Sequence, residues 1–339
     1  MAASREAALA LAALLGWLSA LASPALAKGL GEWPLCEASA AARDPSSNRR
    51  VLVADNEHSG DLFAFELSER GLDGMQRLAM PGGDGLRDIE ALATQGERLL
   101  VVASHSRNKE CEFKAKRWQL RWLRARPGHA LEVEATIDTS ALRAGIGSGV
   151  TGCVAALFGP RAPSGARALC AALSKGERAP DRAKCGALNI EGAVAVPEPG
   201  GPNDASRIWL GLRNPLVAGR AVLLRMASDP RTLRFDAVAS IDLGGRGLRE
   251  LAFSEGTLWG IAGPSADAVE PFTLFAIRGS ALAPGAKLAA PARQRQIPPF
   301  SEGLVIDGAR AIVVTDGEIG DPTRDSCEKG SSQRSVVLP

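Results

Sequence analysis

Five glutamates recur in this chain at the start of strand-like apolar stretches. Glu37, Glu90, Glu191, Glu250 and Glu302 stand 53, 101, 59 and 52 residues apart, and small residues surround most of them. The fullest copy is Asn189-Ile190-Glu191-Gly192-Ala193-Val194, followed by a second run from Arg207 to Pro215. Its counterparts are Asp88-Ile89-Glu90-Ala91 before Arg98 to His105, and Phe300-Ser301-Glu302-Gly303 before Ala311 to Asp316. Cys36-Glu37-Ala38-Ser39 and Arg249-Glu250-Leu251 are looser copies. Carboxylates brought together from several repeats repel, and they raise one another's pKa unless a cation compensates them. Calcium suits such an oxygen-rich set, with Glu37, Glu90, Glu191, Glu250, Glu302 and Asp316 as its expected ligands. A metal held there would polarise an ester and activate water. Neutralisation by the chain's own arginines is the structural alternative, in which the glutamates clamp the fold and bind nothing.

The elements that must position these groups follow from the spacing of apolar residues. After each glutamate strand and its partner come further alternating runs. Third strands are expected at Asp61 to Leu67, Trp118 to Leu123, Ala221 to Met226 and Phe272 to Ile277. Fourth strands are expected at Gly74 to Met80, Leu131 to Ile137 and Phe235 to Leu243. Four antiparallel strands repeated along a chain are the signature of propeller blades. The fold class is therefore all-β: a β-propeller of five four-stranded blades, with six as the alternative, carrying a partly helical insertion. The long interval before Glu191 holds residues 139–187, rich in Ala, Gly, Pro and Arg, and a helix is expected around Ala166 to Leu173. The last unit shows two clear strands, so Ser335 to Leu338 and the segment after Lys28 are expected to complete it.

Strand direction turns the repeat into a place. In a meander the start of the first strand and the end of the second lie on one edge, and first strands line a propeller's channel. The glutamates should ring one mouth, together with Asp55, Asn56, Glu57, His58, His105, Arg107, Asn108, Arg213, Asn214, Asp316 and Glu318. Glu90, His105, Glu191 and Arg213 are the candidate catalytic residues. Asp55, Glu57, Arg87, Asn108, Asn214, Arg246 and Arg249 are candidate ligand contacts. His105 would act as acid or base near neutral pH, and the arginines would hold charge on the substrate. Two glycine-rich connections, Gly82-Gly83-Asp84-Gly85-Leu86-Arg87-Asp88 and Gly244-Gly245-Arg246-Gly247-Leu248-Arg249-Glu250, should feed the same rim with backbone amides open to an anion. Aligned on their glycines, they pair Glu250 with Asp88. No Gly-Lys-Ser/Thr P-loop and no Gly-x-Ser-x-Gly elbow is present.

Composition narrows the partners. A net charge of +2 and a pI near 8.3 give no long-range field toward nucleic acid or acidic membrane. The seven basic residues from Lys109 to Arg126 accompany Trp118 and Trp122, whose spacing fits blade core better than base stacking. Residues 7–22 form an apolar run after Arg5, and Ala25-Leu26-Ala27 ends it as a cleavage site. Residues 1–27 are thus expected to be a signal peptide and 28–339 one propeller domain, periplasmic or secreted, monomeric and not membrane-inserted. An uncleaved anchor is the alternative. Six cysteines in an oxidising compartment suggest disulfides, with Cys36–Cys327 and Cys170–Cys185 as the expected pairs.

Taken together, Glu37-Ala38-Ser39, Val53 to Glu57, Ile89-Glu90-Ala91, Ser104 to Asn108, Leu188 to Gly192, Gly211 to Pro215, Gly244 to Arg249 and Glu302-Gly303-Leu304 resemble the bacterial domain of unknown function 3616 family. The resemblance runs from about residue 36 to 318 and leaves the insertion uncovered. It implies a phytase-like or esterase-like propeller at a distance, with no established activity. Ala91 departs from it, where a glycine like Gly192 and Gly303 is expected, and Arg249-Glu250 stands where the family has an Arg-Asp pair.

Three functions remain open at this stage. The first is an exported calcium-dependent hydrolase of phosphate or related anionic esters. The second is a non-catalytic propeller that binds a small anion, a glycan or a protein on the same rim. The third is purely structural.

Overall fold

The computed structural model describes residues 35–108, 110–178, 188–198, 206–229, 231–266, 271–317 and 330–339. They build five antiparallel sheets, each a meander in chain order. Blade 1 is β1 (Ala38–Arg43), β2 (Arg50–Asp55), β3 (Asp61–Ser68) and β4 (Gly71–Ala79). Blade 2 is β5 (Ile89–Gln95), β6 (Arg98–Ala103), β7 (Gln119–Ala125) and β8 (Leu131–Asp138). Blade 3 is β9 (Asn189–Pro197), β10 (Ser206–Val217), β11 (Arg220–Met226) and β12 (Phe235–Ile241). Blade 4 is β13 (Gly247–Ser254), β14 (Thr257–Gly263), β15 (Phe272–Arg278) and β17 (Arg293–Ile297), while the short β16 (Lys287–Leu288) adds to blade 3 in parallel with β12. Blade 5 has three strands among the described residues: β18 (Ser301–Asp307), β19 (Arg310–Thr315) and β20 (Ser332–Val337).

The first strands pack successively against one another, β1 on β5, β5 on β9, β9 on β13, β13 on β18, and β18 back on β1. This closes a ring of five blades. The six-blade alternative falls, because β5 and β9 are direct neighbours and leave no room for a sheet between them. Crowding at the hub explains the small residues that follow the glutamates. A Cβ on Gly303, for example, would stand 3.0 Å from the Ala41 Cβ and 2.9 Å from the Val314 Cβ. Trp118 and Trp122 are buried in the blade core, as their spacing suggests.

Two strands escaped the sequence pattern. β17 (Arg-Gln-Arg-Gln-Ile) is an outer strand with four of its five residues exposed, so it carries no apolar alternation. β16 has only two residues. The last blade's third strand does come from the C-terminal segment, through β20. The segment after Lys28, up to residue 34, lies outside the described residues.

The insertion is more helical than expected. It contains α1 (Ser140–Gly147), α2 (Val150–Phe158) and α3 (Ala166–Arg178). Ile146, Leu157, Phe158, Leu169 and Leu173 share one core with Trp118, Trp122 and Phe235 of blades 2 and 3. Burying each such side chain is worth roughly 1.5–3 kcal/mol, which fixes the helices on the blade flank. A disulfide joins Cys153 to Cys170, in place of the expected Cys170–Cys185 bridge. Cys36 and Cys111 are also disulfide-bonded. Cys185 and Cys327, the expected partners of Cys170 and Cys36, lie outside the described residues. Among the described residues no helix is long and apolar enough to cross a membrane; residues 1–34 are not described.

Candidate functional site

Every first strand carries a β-bulge at the same place. The register with the second strand slips between Ala38 and Ala40, Ile89 and Ala91, Ile190 and Gly192, Leu248 and Glu250, and Ser301 and Gly303. The extra residues are therefore Ser39, Glu90, Glu191, Arg249 and Glu302. A bulge leaves its extra residue out of the ladder and re-aims its side chain. The ring is thus three glutamates, one serine and one arginine.

Two of the five expected glutamates are not in it. Glu37 lies two residues ahead of its blade's bulge, whose position belongs to Ser39, and the Ser39 hydroxyl donates to the Ile89 carbonyl of blade 2 at 2.5 Å. Glu250 lies one residue past its bulge, where the other blades have Ala40, Ala91, Gly192 and Gly303. The bulges thus match Glu250 to Ala91 and Arg249 to Glu90, correcting the pairing with Asp88 that the glycines suggest. Glu250 is fully enclosed. Its carboxyl accepts the Ala41 N–H of blade 1 at 3.2 Å and the Leu251 N–H at 2.8 Å, and it also accepts the Ala193 N–H of blade 3. Burial pushes its pKa well above the usual carboxylate range, against the pull of these three donors.

Arg249 organises the ring. Its guanidinium stands 2.8 Å from Glu191 Oε2 and pairs with Glu302 Oε1 on the other side. Glu191 also takes Arg213 Nη1 at 3.0 Å and Asn189 Nδ2 at 2.8 Å. Gly247 lets β13 reach this place, since a Cβ there would lie 2.4 Å from the Arg213 carbonyl oxygen. Asp88, just before β5, pairs with Arg117 at 2.6 Å. Burial raises the pKa of Asp88 and of Glu302, opposed by Arg117 and Arg249 respectively.

Glu90 is different. It forms no ion pair with any described residue, and its hydrogen-bond partner among them is Asn56 Nδ2 at 3.2 Å. It is partly exposed. Burial raises its pKa well above the usual range, and Asp88, Glu191 and Glu302 push the same way while Arg249 opposes them. The result is a carboxyl at the mouth of the channel whose ionised form is disfavoured.

The other expected site residues divide into those that reach the ring and those used elsewhere. Arg213 reaches it. His105 does not: it is fully buried, with Nδ1 2.6 Å from the Ala103 carbonyl and Nε2 2.8 Å from Thr139 Oγ1. Desolvation lowers its pKa to about 4, so it is a neutral structural residue packed on Trp118. Asp55, also fully buried, accepts the backbone N–H groups of Cys36, Glu37, Glu57 and His58. Asn214 donates to the Ser265 carbonyl. Asn108 closes a turn on Glu112, and Arg107 ties Glu177 of α3 to blade 2 at 2.6 Å. Arg87 is exposed and donates to Ser59. Arg246 bonds Leu243, Thr273 and Gln294, toward the outer strands of blade 4. Glu37, Glu57 and Asp316 all have partners within the chain, and Glu318 lies outside the described residues. In the glycine-rich connections, the amides of Gly83 and Gly85 bond carbonyls of their own turn, and that of Gly244 bonds Asp242, so these three form no anion cradle. Arg117 escaped the sequence reading because it sits in a basic stretch without repeat, far from Asp88.

These residues do not fit a calcium cage. Calcium would bridge carboxylates where the Arg249 guanidinium bridges Glu191 and Glu302. Among the described residues no group of three or more Asp, Glu, His or Cys stands in a metal-holding arrangement.

Residues 182–323 match a family described as "Protein of unknown function (DUF3616)". The match covers less than half of the chain and is a likeness to that family. It spans blades 3 and 4 and the first two strands of blade 5, so it contains Glu191, Arg213, Arg249, Glu250 and Glu302. Ser39 and Glu90 lie outside the DUF3616 match. No curated protein matches the sequence. Among solved structures, a luciferin-regenerating enzyme is similar over 91% of this chain and 92% of its own, at 8% identity and a TM-score of 0.43. A PQQ-bound aldose sugar dehydrogenase from Streptomyces coelicolor is similar over 91% of this chain and 96% of its own, at 10% identity and a TM-score of 0.40. Neither likeness bears on what this chain does.

Proposed function

We propose that this propeller binds a small polar ligand at the mouth of its channel and that Glu90 is the group that bonds it. One observation carries this reading. Of the three ring glutamates, Glu191 and Glu302 are held by arginines, whereas Glu90 is partly exposed, lacks an ion pair with any described residue and has a strongly raised pKa. A group perturbed by burial and by like charges, at the end of the channel where the first strands begin, is a candidate working residue.

The metal-dependent ester hydrolysis suggested by the glutamate repeat is the weaker reading, because Arg249 stands where the metal would bridge. A metal-free version survives, in which Glu90 donates its proton to a leaving group. The test is a thermal-shift screen of wild type and Glu90→Gln against amines, polyols, carboxylates and phosphate esters, followed by turnover assays on the same esters. A ligand that stabilises wild type and not a folded Glu90→Gln supports binding at this mouth. Ligands that stabilise both equally would sink it, and turnover lost in Glu90→Gln would select the hydrolytic version.

A further inference from the structure

Resting on that reading, we propose that the ligand of this mouth carries a protonated amine, seated against Glu90. The arginines at the mouth are committed to carboxylates: Arg117 to Asp88, Arg213 to Glu191, and Arg249 to both Glu191 and Glu302. An arriving anion would have to break one of these pairs. Four acids, Asp88, Glu90, Glu191 and Glu302, face these three bases, and Glu90 is the acid left over. Among these described side chains the ionised site therefore has one carboxylate more than cations, and Glu90 carries it.

A second observation is independent of charge. The side-chain oxygens of Asn56 and Asn189 are enclosed and accept no hydrogen bond from any described residue. Both amides are oriented by their Nδ2 groups, which donate to Glu90 and to Glu191. That orientation leaves an acceptor on each of the two asparagines, while Arg249 Nε, paired by charge with Glu191, is also enclosed without a hydrogen bond to any described residue. Buried acceptors without partners are rare in native folds. An ammonium group carries three N–H donors and one positive charge, which suits the unpaired carboxyl of Glu90. Arg87, an exposed cation on the neighbouring loop, is turned to Ser59, and Glu250 is closed off among backbone N–H groups.

Proton balance is simple. When the ammonium arrives, the Glu90 carboxyl releases its proton to solvent and remains as carboxylate; no covalent bond to the ligand forms. Affinity should therefore rise with pH through the titration of Glu90, until the amine itself loses its proton.

The test uses the chain from Lys28 onward with four matched probes: cyclohexylammonium, cyclohexanol, cyclohexanecarboxylate and calcium chloride. The expected result is a rise in Tm with cyclohexylammonium alone, growing as pH rises through the titration of Glu90, and absent in Glu90→Gln. Calorimetry in two buffers of different ionisation enthalpy should show release of a proton on binding. Glu90-dependent stabilisation by the alcohol, the carboxylate or calcium, in preference to the ammonium, would overturn the assignment of an amine while leaving Glu90 as the binding group. If no probe's effect depends on Glu90 in a folded variant, the amine assignment and the proposed function both fail.

Discussion

Glu90 and Glu250 are one bulge register apart in equivalent strands, and burial raises the pKa of both. Their surroundings differ. Glu250 is enclosed and fastened by backbone N–H groups from blades 1, 3 and 4, so its carboxyl serves as a hub for the innermost strands. Glu90 is partly exposed, held by one asparagine, and faces other carboxylates. The difference teaches that a raised pKa alone does not mark a site. What separates the two is whether the carboxyl's bonding capacity is filled by the fold or left for something else.

The largest expected effect comes from the residue that lets the two environments coexist. Arg249→Met removes the cation between Glu191 and Glu302 and leaves buried carboxylates facing each other. Breaking a buried pair from one side costs about 3–5 kcal/mol. Denaturant unfolding should show a loss of that size. A loss below 1 kcal/mol would mean that the ring is solvated and the pairing unimportant. Calcium added to this variant is the sharpest check on the metal reading: rescue would show that the glutamates take a metal once the guanidinium is gone.

Next comes the hub itself. Glu250→Ala leaves three enclosed N–H donors without their acceptor, and each unsatisfied donor costs about 1–3 kcal/mol, so a loss on the order of 3 kcal/mol or more is expected. Glu250→Gln keeps one acceptor oxygen and should lose less. Equal losses for the two variants would show that volume, not hydrogen bonding, is what Glu250 contributes.

A smaller effect is expected at His105, which the sequence placed on the rim. Its burial as a neutral ring gives a defined sign. The folded pKa, about 4, lies below the ordinary value of 6.5, so the unfolded chain binds more protons between them and stability falls as pH drops through that window. Wild type should lose stability from about pH 6.5 toward pH 4 in a way that His105→Asn does not, while probe binding at the mouth stays unchanged. A binding defect in a folded His105→Asn would put the histidine back in the site.

Most of the architecture was legible because blade cores need regular alternation, and the runs around Phe63, Trp122, Leu223 and Phe275 show it. The mouth was legible as a place, because strand direction alone brings the glutamates to one edge. Its membership was not. A bulge moves a side chain by one position without changing composition, so Ser39 displaced Glu37 and Arg249 displaced Glu250 in the ring. Pairing between distant residues left no trace either, as Arg117 on Asp88 shows. His105 misled because a polar residue at a strand end reads the same whether it faces the channel or folds back under Trp118.

The finest test separates Glu90 from Glu250 by titration. Each has a folded pKa above the unfolded value near 4.5, so each binds more protons folded than unfolded in the window between them. Wild type therefore loses stability as pH rises through that window, and a glutamine, which mimics the protonated acid, does not. Relative to wild type, both Glu90→Gln and Glu250→Gln should gain stability as pH rises from about 4.5. The baselines should differ: near neutral at low pH for Glu90→Gln, because one asparagine bond is at stake, and clearly negative for Glu250→Gln, because an amide group replaces an acceptor among backbone donors. A saturating ammonium probe should then flatten the pH dependence of wild type, since it holds Glu90 ionised, and leave the Glu250 contribution in place. If the probe flattens nothing, or if the two variants share one baseline, the distinction between a filled carboxyl and an open one is lost.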